Sequence, residues 1–570
     1  MSKKSVRLNR RQFLQQSALA GAGFIIYGCE RTETLKGTEL KPAGLLKKMS
    51  KLDNSIRPPI DRGVWYQAQE IDDGLLYTFE PGVLSKGRYL TADCLLGGTA
   101  LTAFILILQE GENGSAFLLR FKLLNQCSAR IRFSLDAVNL NKWCLEREGA
   151  WLKPICEGDR VDLSRVDRMY FKVLRKAQQP VRFCITPFIV ASENVPRITK
   201  PVLPKGRLLD ELGQSTIHEW HGKSRSVDYV IKRINLQYEN HYSHQLPAYW
   251  SRWGGWQARR FKASGFFKTH NDGRRWWLVD PGGRAFWSAG INCFRPDTAT
   301  NIEGLESALT WQPDPKGKFW QIFSNNGKTI NYLQANLIRT FGELEWYDKW
   351  AEIAVAELKR IGFNTVGNWS DWEIASREQI PYVRSLTLKL ARTPKIYRDF
   401  PDVFHPDFKL DAEDYAQQLK QTAFDPAFIG YFLMNEPRWG FSEELPAVGM
   451  LYNTPVCESR VKLASFLQNK YEDNEKLSDA WGIQITYDEI AQGVWTKRLT
   501  EPALKDLEEF STEMVKRFFK LLSYECKQID ENHLNLGVRY HTIPPDYALE
   551  GMRYFDVFSM NCYEKRIPRD

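Results

Sequence analysis

The stretch Phe428-Ile429-Gly430-Tyr431-Phe432-Leu433-Met434-Asn435-Glu436-Pro437 runs from an unbroken apolar segment straight into a carboxylate. A continuous apolar run of this kind, with no polar alternation, reads as a strand buried on both faces, the pattern of a parallel sheet. Pro437 ends it, because proline donates nothing to a strand ladder. A carboxylate at the C-terminal tip of a parallel strand lies where barrel enzymes keep their reactive groups. Glu436 is therefore the first candidate for chemistry. A bare Asn-Glu-Pro also occurs by chance as a turn after a strand, so its neighbours in sequence must decide.

Those neighbours alternate. Upstream lie the apolar strand Ala285–Asn292, an amphipathic helix over Trp350–Ile361 closed by Gly362, the strand Phe363–Asn368, the weaker strand Pro381–Leu386 and a helix over Asp411–Ala423. Downstream, a long helix over Pro502–Ile529 feeds the strand Leu534–His541, and a short helix near Tyr547–Met552 feeds Phe555–Tyr563. Repeated strand-helix-strand units with buried strands predict a (β/α)₈ TIM barrel, here with six strands, or else a doubly wound sheet.

The N-terminal half reads differently. Residues 59–195 hold short β-rich segments such as Ala103–Leu108, Ala116–Phe121, Ala129–Leu135 and Arg168–Leu174, separated by turns including Glu112-Asn113-Gly114. This predicts an antiparallel β-sandwich of the kind that often binds carbohydrate. Residues 30–58 are polar and Lys-rich, a linker, and residues 196–260 a connector before the barrel domain at 261–570. Residues 1–29 read as an export signal: Arg10-Arg11 precede Phe13-Leu14 and a small apolar stretch, resembling a twin-arginine signal, and Ile26-Tyr27-Gly28-Cys29 resembles a lipoprotein box with Cys29 as the lipidated residue. An exported, periplasmic or surface lipoprotein attached to a membrane through that lipid is expected.

Composition narrows the chemistry. The 570 residues include 43% hydrophobic and 26% charged side chains, the balance of a folded protein. A net charge of +9 is spread along a chain with 69 acidic residues, and no nucleic-acid module is present, so nucleic acid is excluded as the partner. The 19 Trp, 23 Tyr and 32 Phe serve a core and, where exposed, stack on sugar faces. Ten cysteines at irregular spacing, with no Cys-x-x-Cys pair, give neither a zinc ribbon nor a redox motif. No metal or cofactor is expected.

Hydrolysis of a glycosidic bond needs a proton donor for the departing oxygen and a second carboxylate that attacks or activates water. Glu436 suits the donor role, where partial burial and a neighbouring carboxylate would keep it protonated near neutrality. Here the sequence resembles the retaining glycoside hydrolases of clan A, whose fourth barrel strand ends in Asn-Glu. It is most similar to glycoside hydrolase family 50, the β-agarases, in Gly265-Phe266-Phe267 through Trp276–Pro281, in Phe286–Asn292, in Phe432–Pro437, in Ser559–Tyr563 and in Leu209–Gln214. The resemblance implies cleavage of β-galactosidic bonds in agar-like polysaccharides, with Glu436 as acid/base and Asn435 holding the sugar hydroxyl next to the scissile bond. Asn292, Asn368, Trp369, His541 and Tyr563 would line the subsites. Read without the family, Trp369 and Tyr563 serve equally as packing residues and His541 as a core histidine.

The family's nucleophile is a Glu at the tip of the seventh strand, and no seventh strand is read here. Glu564 follows the sixth strand beside Lys565 and Arg566, where an ion pair is the expected role. The expectation is a fragment whose nucleophile lies beyond residue 570. The alternatives are a non-catalytic carbohydrate-binding lipoprotein or degenerate homologue, and a glycosidase for another β-glycan.

Overall fold

A computed structural model describes residues 35–52, 60–98, 101–140, 145–174, 179–198, 206–541 and 543–563. The paired arginines, Cys29 and Glu564 lie outside these residues. The chain divides into two compact units, Met1–Asn139 with Cys144–Leu203 and Leu140–Trp143 with Pro204–Asp570. No helix among the described residues is long and apolar enough to cross a membrane.

The first unit is built from two antiparallel sheets. One centres on Tyr89–Gly97, flanked by Phe188–Ala191, Val181–Ile185 and Ser128–Ser134. The other runs in the order Trp151–Gly158, Ala116–Leu123, Thr102–Gln109, Arg168–Val173, Gly74–Thr78, Gly44–Leu46. Inward positions at period two place phenylalanines from both sheets in one core. Phe104 and Phe171 of the second sheet lie 5.4 and 5.5 Å from Phe183 of the first. A buried pair, Arg130 with Asp93 at 2.7 and 2.9 Å, spans neighbouring strands of the first sheet.

Part of the expected linker at 30–58 is strand instead. Thr38–Leu40, Gly44–Leu46 and Ser50–Lys51 pair at sheet edges. Leu40 and Met49 are buried while the polar residues between them face outwards, so the Lys-rich composition belongs to the solvent side. The expected connector likewise contains a helix, Val227–Glu239, started by the Ser226 hydroxyl accepting from the Tyr229 N–H.

The second unit carries a parallel sheet. Its strands in order are Gly290–Ile291, Thr365–Val366, Tyr382–Ser385, Phe428–Phe432 and Leu534–Asn535. The fourth and fifth continue as Met434–Asn435 beside Val538–Arg539, and Met560 bridges in parallel to Tyr540 as a sixth position. Between the two halves of the fourth strand, the buried Leu433 donates its N–H to Gly537 O at 2.8 Å. Gly537 is required there: its φ is +72°, and an added Cβ would sit 2.5 Å from the Phe555 ring.

The helix Glu501–Ile529 buries Leu507, Phe510, Met514, Phe518 and Leu522 at helical spacing, in the same core as the strands of this sheet. Each such side chain contributes about 1.5–3 kcal/mol on burial. The helix expected at Trp350–Ile361 extends back to Tyr332, with a break at Gly342 (φ 82°, ψ 177°). That expected at Asp411–Ala423 is displaced to Phe408–Ala416 plus a short 3₁₀ turn.

The single strand expected at Ala285–Asn292 is two. Arg284–Phe286 joins an antiparallel four-stranded sheet with Trp256–Arg260, Trp276–Val279 and Lys268–Asn271, and only Gly290–Ile291 is parallel. The bend between them is held by Asn364, whose amide donates to Trp287 O and accepts from Ala289 N, both at 2.9 Å. Asn364 precedes the second parallel strand, and Asn532, which accepts from Lys268 Nζ at 2.7 Å, precedes the fifth. The four-stranded sheet therefore sits at the N-terminal ends of the parallel strands, away from Glu436. Phe555–Tyr563 is mostly irregular, with a ladder contact only at Met560.

Candidate functional site

The C-terminal tips of the parallel strands gather the candidate residues. Glu436 follows the second half of the fourth strand with φ +46°, a left-handed conformation that a side chain other than glycine adopts at a cost. Pairing over-determines it: Asn435 is in register with Arg539, and the Glu436 N–H donates to Arg539 O at 2.9 Å. The half-buried carboxylate accepts from Asn561 Nδ2 at 2.6 Å through Oε1. Among the described residues that is its one hydrogen bond through the side chain, and Oε2 is left without one. The same Asn561 amide reaches Asn435 Oδ1 at 3.4 Å, and its backbone N–H is fixed on Tyr540 O at 2.7 Å. The Asn561 Oδ1 is buried and has no partner among the described residues.

The first and second strand tips are locked together. Asn292 Oδ1 accepts the Asn368 N–H at 2.9 Å, and Cys293 N–H donates to Asn368 O at 2.8 Å. Asn292 thus shapes the backbone of the site in addition to whatever it offers a ligand. Asn368 is 1% exposed, yet among the described residues neither atom of its side-chain amide has a partner. A buried amide without partners is costly, by roughly 1–3 kcal/mol per unsatisfied group, and such groups mark places where a ligand or water completes the set. Trp369 follows with φ +58° and 45% exposure, its ring facing the Arg539 guanidinium at 5.3 Å.

His541 stacks on Phe441, with ring centroids 3.8 Å apart and planes 23° from parallel. Burial holds its imidazole below the usual range, with the Glu436 charge opposing that shift. Burial likewise lowers the Arg539 guanidinium, against the pull of Tyr563 and Glu436. Tyr563 is 88% exposed and lies within electrostatic reach of Arg539. No group of three or more His, Cys, Asp or Glu that could hold a metal occurs among the described residues.

The structure therefore brings Glu436, Asn435, Asn292, Asn368, Trp369 and His541 to one end of the sheet, with Tyr563 at its margin. Sequence reading passed over Arg539 and Asn561. Arg539 is the one charged residue in the run Leu534–Tyr540, which was its available signal. Nothing local in the sequence marks Asn561 as the partner of Glu436, because the contact spans 125 positions.

No family model matches the chain. A β-agarase B of Vibrio sp. (strain JT0107) is 24% identical over 422 residues, covering 65% of this chain and 44% of the relative. The chain thus spans less than half the length of that relative. Among solved structures, PfGH50B superposes with a TM-score of 0.60 at 19% identity, over 93% of this chain and 84% of its own. An exo-β-agarase superposes with the same TM-score of 0.60 at 21% identity, over 88% and 79%. At these identities the structural likeness is one of fold.

Proposed function

We propose that this chain, a relative of the β-agarases of glycoside hydrolase family 50, is the body of a retaining glycoside hydrolase that cleaves β-galactosidic bonds in agar-like galactans. The observation that carries the proposal is Glu436: a carboxyl at the tip of a parallel strand, in a left-handed conformation, with one oxygen engaged by Asn561. The parallel strands are then part of a (β/α)₈ barrel, and the first unit is a carbohydrate-binding β-sandwich.

In the proposed reaction Glu436 gives its proton to the departing glycosidic oxygen while a second carboxylate attacks the anomeric carbon from the opposite face. In a retaining geometry the second carboxylate stands about 5–5.5 Å from Glu436. Glu436, now ionised, takes a proton from water as that water attacks the anomeric carbon of the glycosyl-enzyme and returns the carboxylate. Asn435 holds the neighbouring sugar hydroxyl, Trp369 offers a ring to a sugar face, and the amide of Asn368 gains the partners it lacks. Retention is read by NMR of the first anomer formed from an agar oligosaccharide. Formation of the inverted anomer sinks the mechanism, and release of reducing sugar from laminarin but not from agarose sinks the substrate.

Export on the twin-arginine segment with a lipid on Cys29 fits action on a polymer too large to enter the cell. Cys29→Ser should move the protein from the membrane to the soluble fraction, and an unchanged distribution argues against lipidation.

A further inference from the structure

This inference rests on the glycosidase reading above and concerns which sugar the site admits. Arg539 pairs in register with Asn435, one residue before Glu436. Its guanidinium carbon lies 5.3 Å from the Trp369 ring centroid and 5.5 Å from that of Phe432. The side chain is half-buried, and among the described residues it forms no ion pair and donates no hydrogen bond.

Other arginines in similar surroundings are satisfied. Arg130 forks onto Asp93 at 2.7 and 2.9 Å. Arg384, stacked over Trp372 at 4.2 Å, still donates to Gln418 O and Thr422 Oγ1 at 2.8 and 3.0 Å. The fully buried Arg460 donates to the carbonyls of Ile490, Thr454, Pro455, Gly493 and Glu489. Arg539 departs from this pattern at the tip where the candidate acid sits. A guanidinium presents five N–H donors in a planar fork, and ring faces take up its charge without accepting those hydrogens. A sugar hydroxyl accepts one such N–H, whereas a sulfate ester or a carboxylate accepts two in parallel.

We propose that Arg539 binds an anionic substituent, a sulfate ester or a carboxylate, on the sugar unit lodged beside Glu436, so that the substrate is an anionic galactan. Trp369 and Phe432 hold the guanidinium in place for it.

The test is binding, read with hydrolysis switched off. Protein carrying Glu436→Gln is titrated calorimetrically with neutral, sulfated and uronate-bearing galactan oligosaccharides of equal length. The anionic ligand should bind roughly tenfold or more tighter than the neutral one, the scale of one forked charged contact. A preference for the sulfated ligand alone identifies the ester, and for the uronate alone the carboxylate. Adding Arg539→Gln should bring the ratio within about twofold of one, and Arg539→Lys should lower it severalfold, since a point charge replaces the fork. Arg259→Gln, on the four-stranded sheet, should leave the ratio where it was. Equal affinity for neutral and anionic ligands, a ratio that survives Arg539→Gln, or an equal loss with Arg259→Gln overturns the inference while leaving the glycosidase reading intact. Failure to bind any galactan oligosaccharide removes both.

Discussion

Replacing Glu436 by Gln separates chemistry from scaffolding. The Gln side-chain oxygen can still accept from Asn561 Nδ2, which stands 2.6 Å from Oε1, and the backbone keeps the N–H bond to Arg539 O at 2.9 Å. The variant also inherits the left-handed backbone at no added cost, because both side chains branch alike near Cα. Stability should therefore change by less than about 1 kcal/mol, a melting shift of no more than about 2–4 °C. What disappears is the proton. General acid catalysis contributes roughly 10²–10⁴ in rate, equivalent to about 3–5.5 kcal/mol of barrier, when the leaving group is a sugar alkoxide. An aryl galactoside leaves as a phenolate that needs little protonation, so its first turnover should fall by less than about tenfold. On the retaining mechanism proposed above, the second half-reaction still needs Glu436 as base, so rapid aryl release should be followed by slow turnover. The assay is stopped-flow release of nitrophenol beside reducing-sugar release from agarose, on full-length protein. Equal losses on both substrates in the first turnover refute the acid role, and a melting temperature lowered well beyond 4 °C would attribute the loss to structure.

Gly537→Ala forces a side chain into φ +72° and puts a Cβ 2.5 Å from the Phe555 ring, so denaturant unfolding should show a loss of about 1–3 kcal/mol. Arg460→Met, in the first turn of the helix Glu458–Tyr471, strands the five carbonyls that Arg460 binds, and about 3–5 kcal/mol of stability should be lost. His541 is held below its usual 6.5 by burial, so the folded state binds fewer protons there than the unfolded chain. Its contribution is present above pH 6.5 and is lost as pH falls towards the lowered folded value. His541→Asn should accordingly flatten the fall of melting temperature with acidification below pH 6.5, and an unchanged slope would contradict the burial argument.

The strand ending at Glu436 was legible because burial on both faces removes polar alternation, whereas Asn292, Asn368 and His541 were named through the family resemblance, as polar residues at the ends of strands read from the sequence. The helix Glu501–Ile529 was legible for the complementary reason, its apolar residues recurring every three to four positions. Other parts were hidden. The helices Pro446–Asn453, Asn474–Trp481 and Tyr487–Ala491 are too short to announce themselves, and Glu458–Tyr471 is too mixed in composition. Left-handed φ values at Trp369 and Glu436 have no mark in residue type, since tertiary pairing imposes them. The break in the strand Ala285–Asn292 depends on Asn364, some seventy positions later, and so could not be read from the strand itself. Thr38–Lys51 was obscured because edge strands show their polar side to solvent.

The locking of strand tips from Asn292 to Asn561 has a kinetic consequence. Almost every contact that fixes Glu436 joins residues about a hundred or more positions apart, as do Glu436 with Arg539 and with Asn561. Closing such long loops is slow, and the entropy lost is recovered only once both strands are docked. The hairpins of the four-stranded sheet, with Lys268–Asn271 beside Trp276–Val279, can form at once from neighbouring chain. The end of the sheet opposite Glu436 should thus order early and the Glu436 end late, so that a partially folded chain hides its floor before the candidate site is assembled.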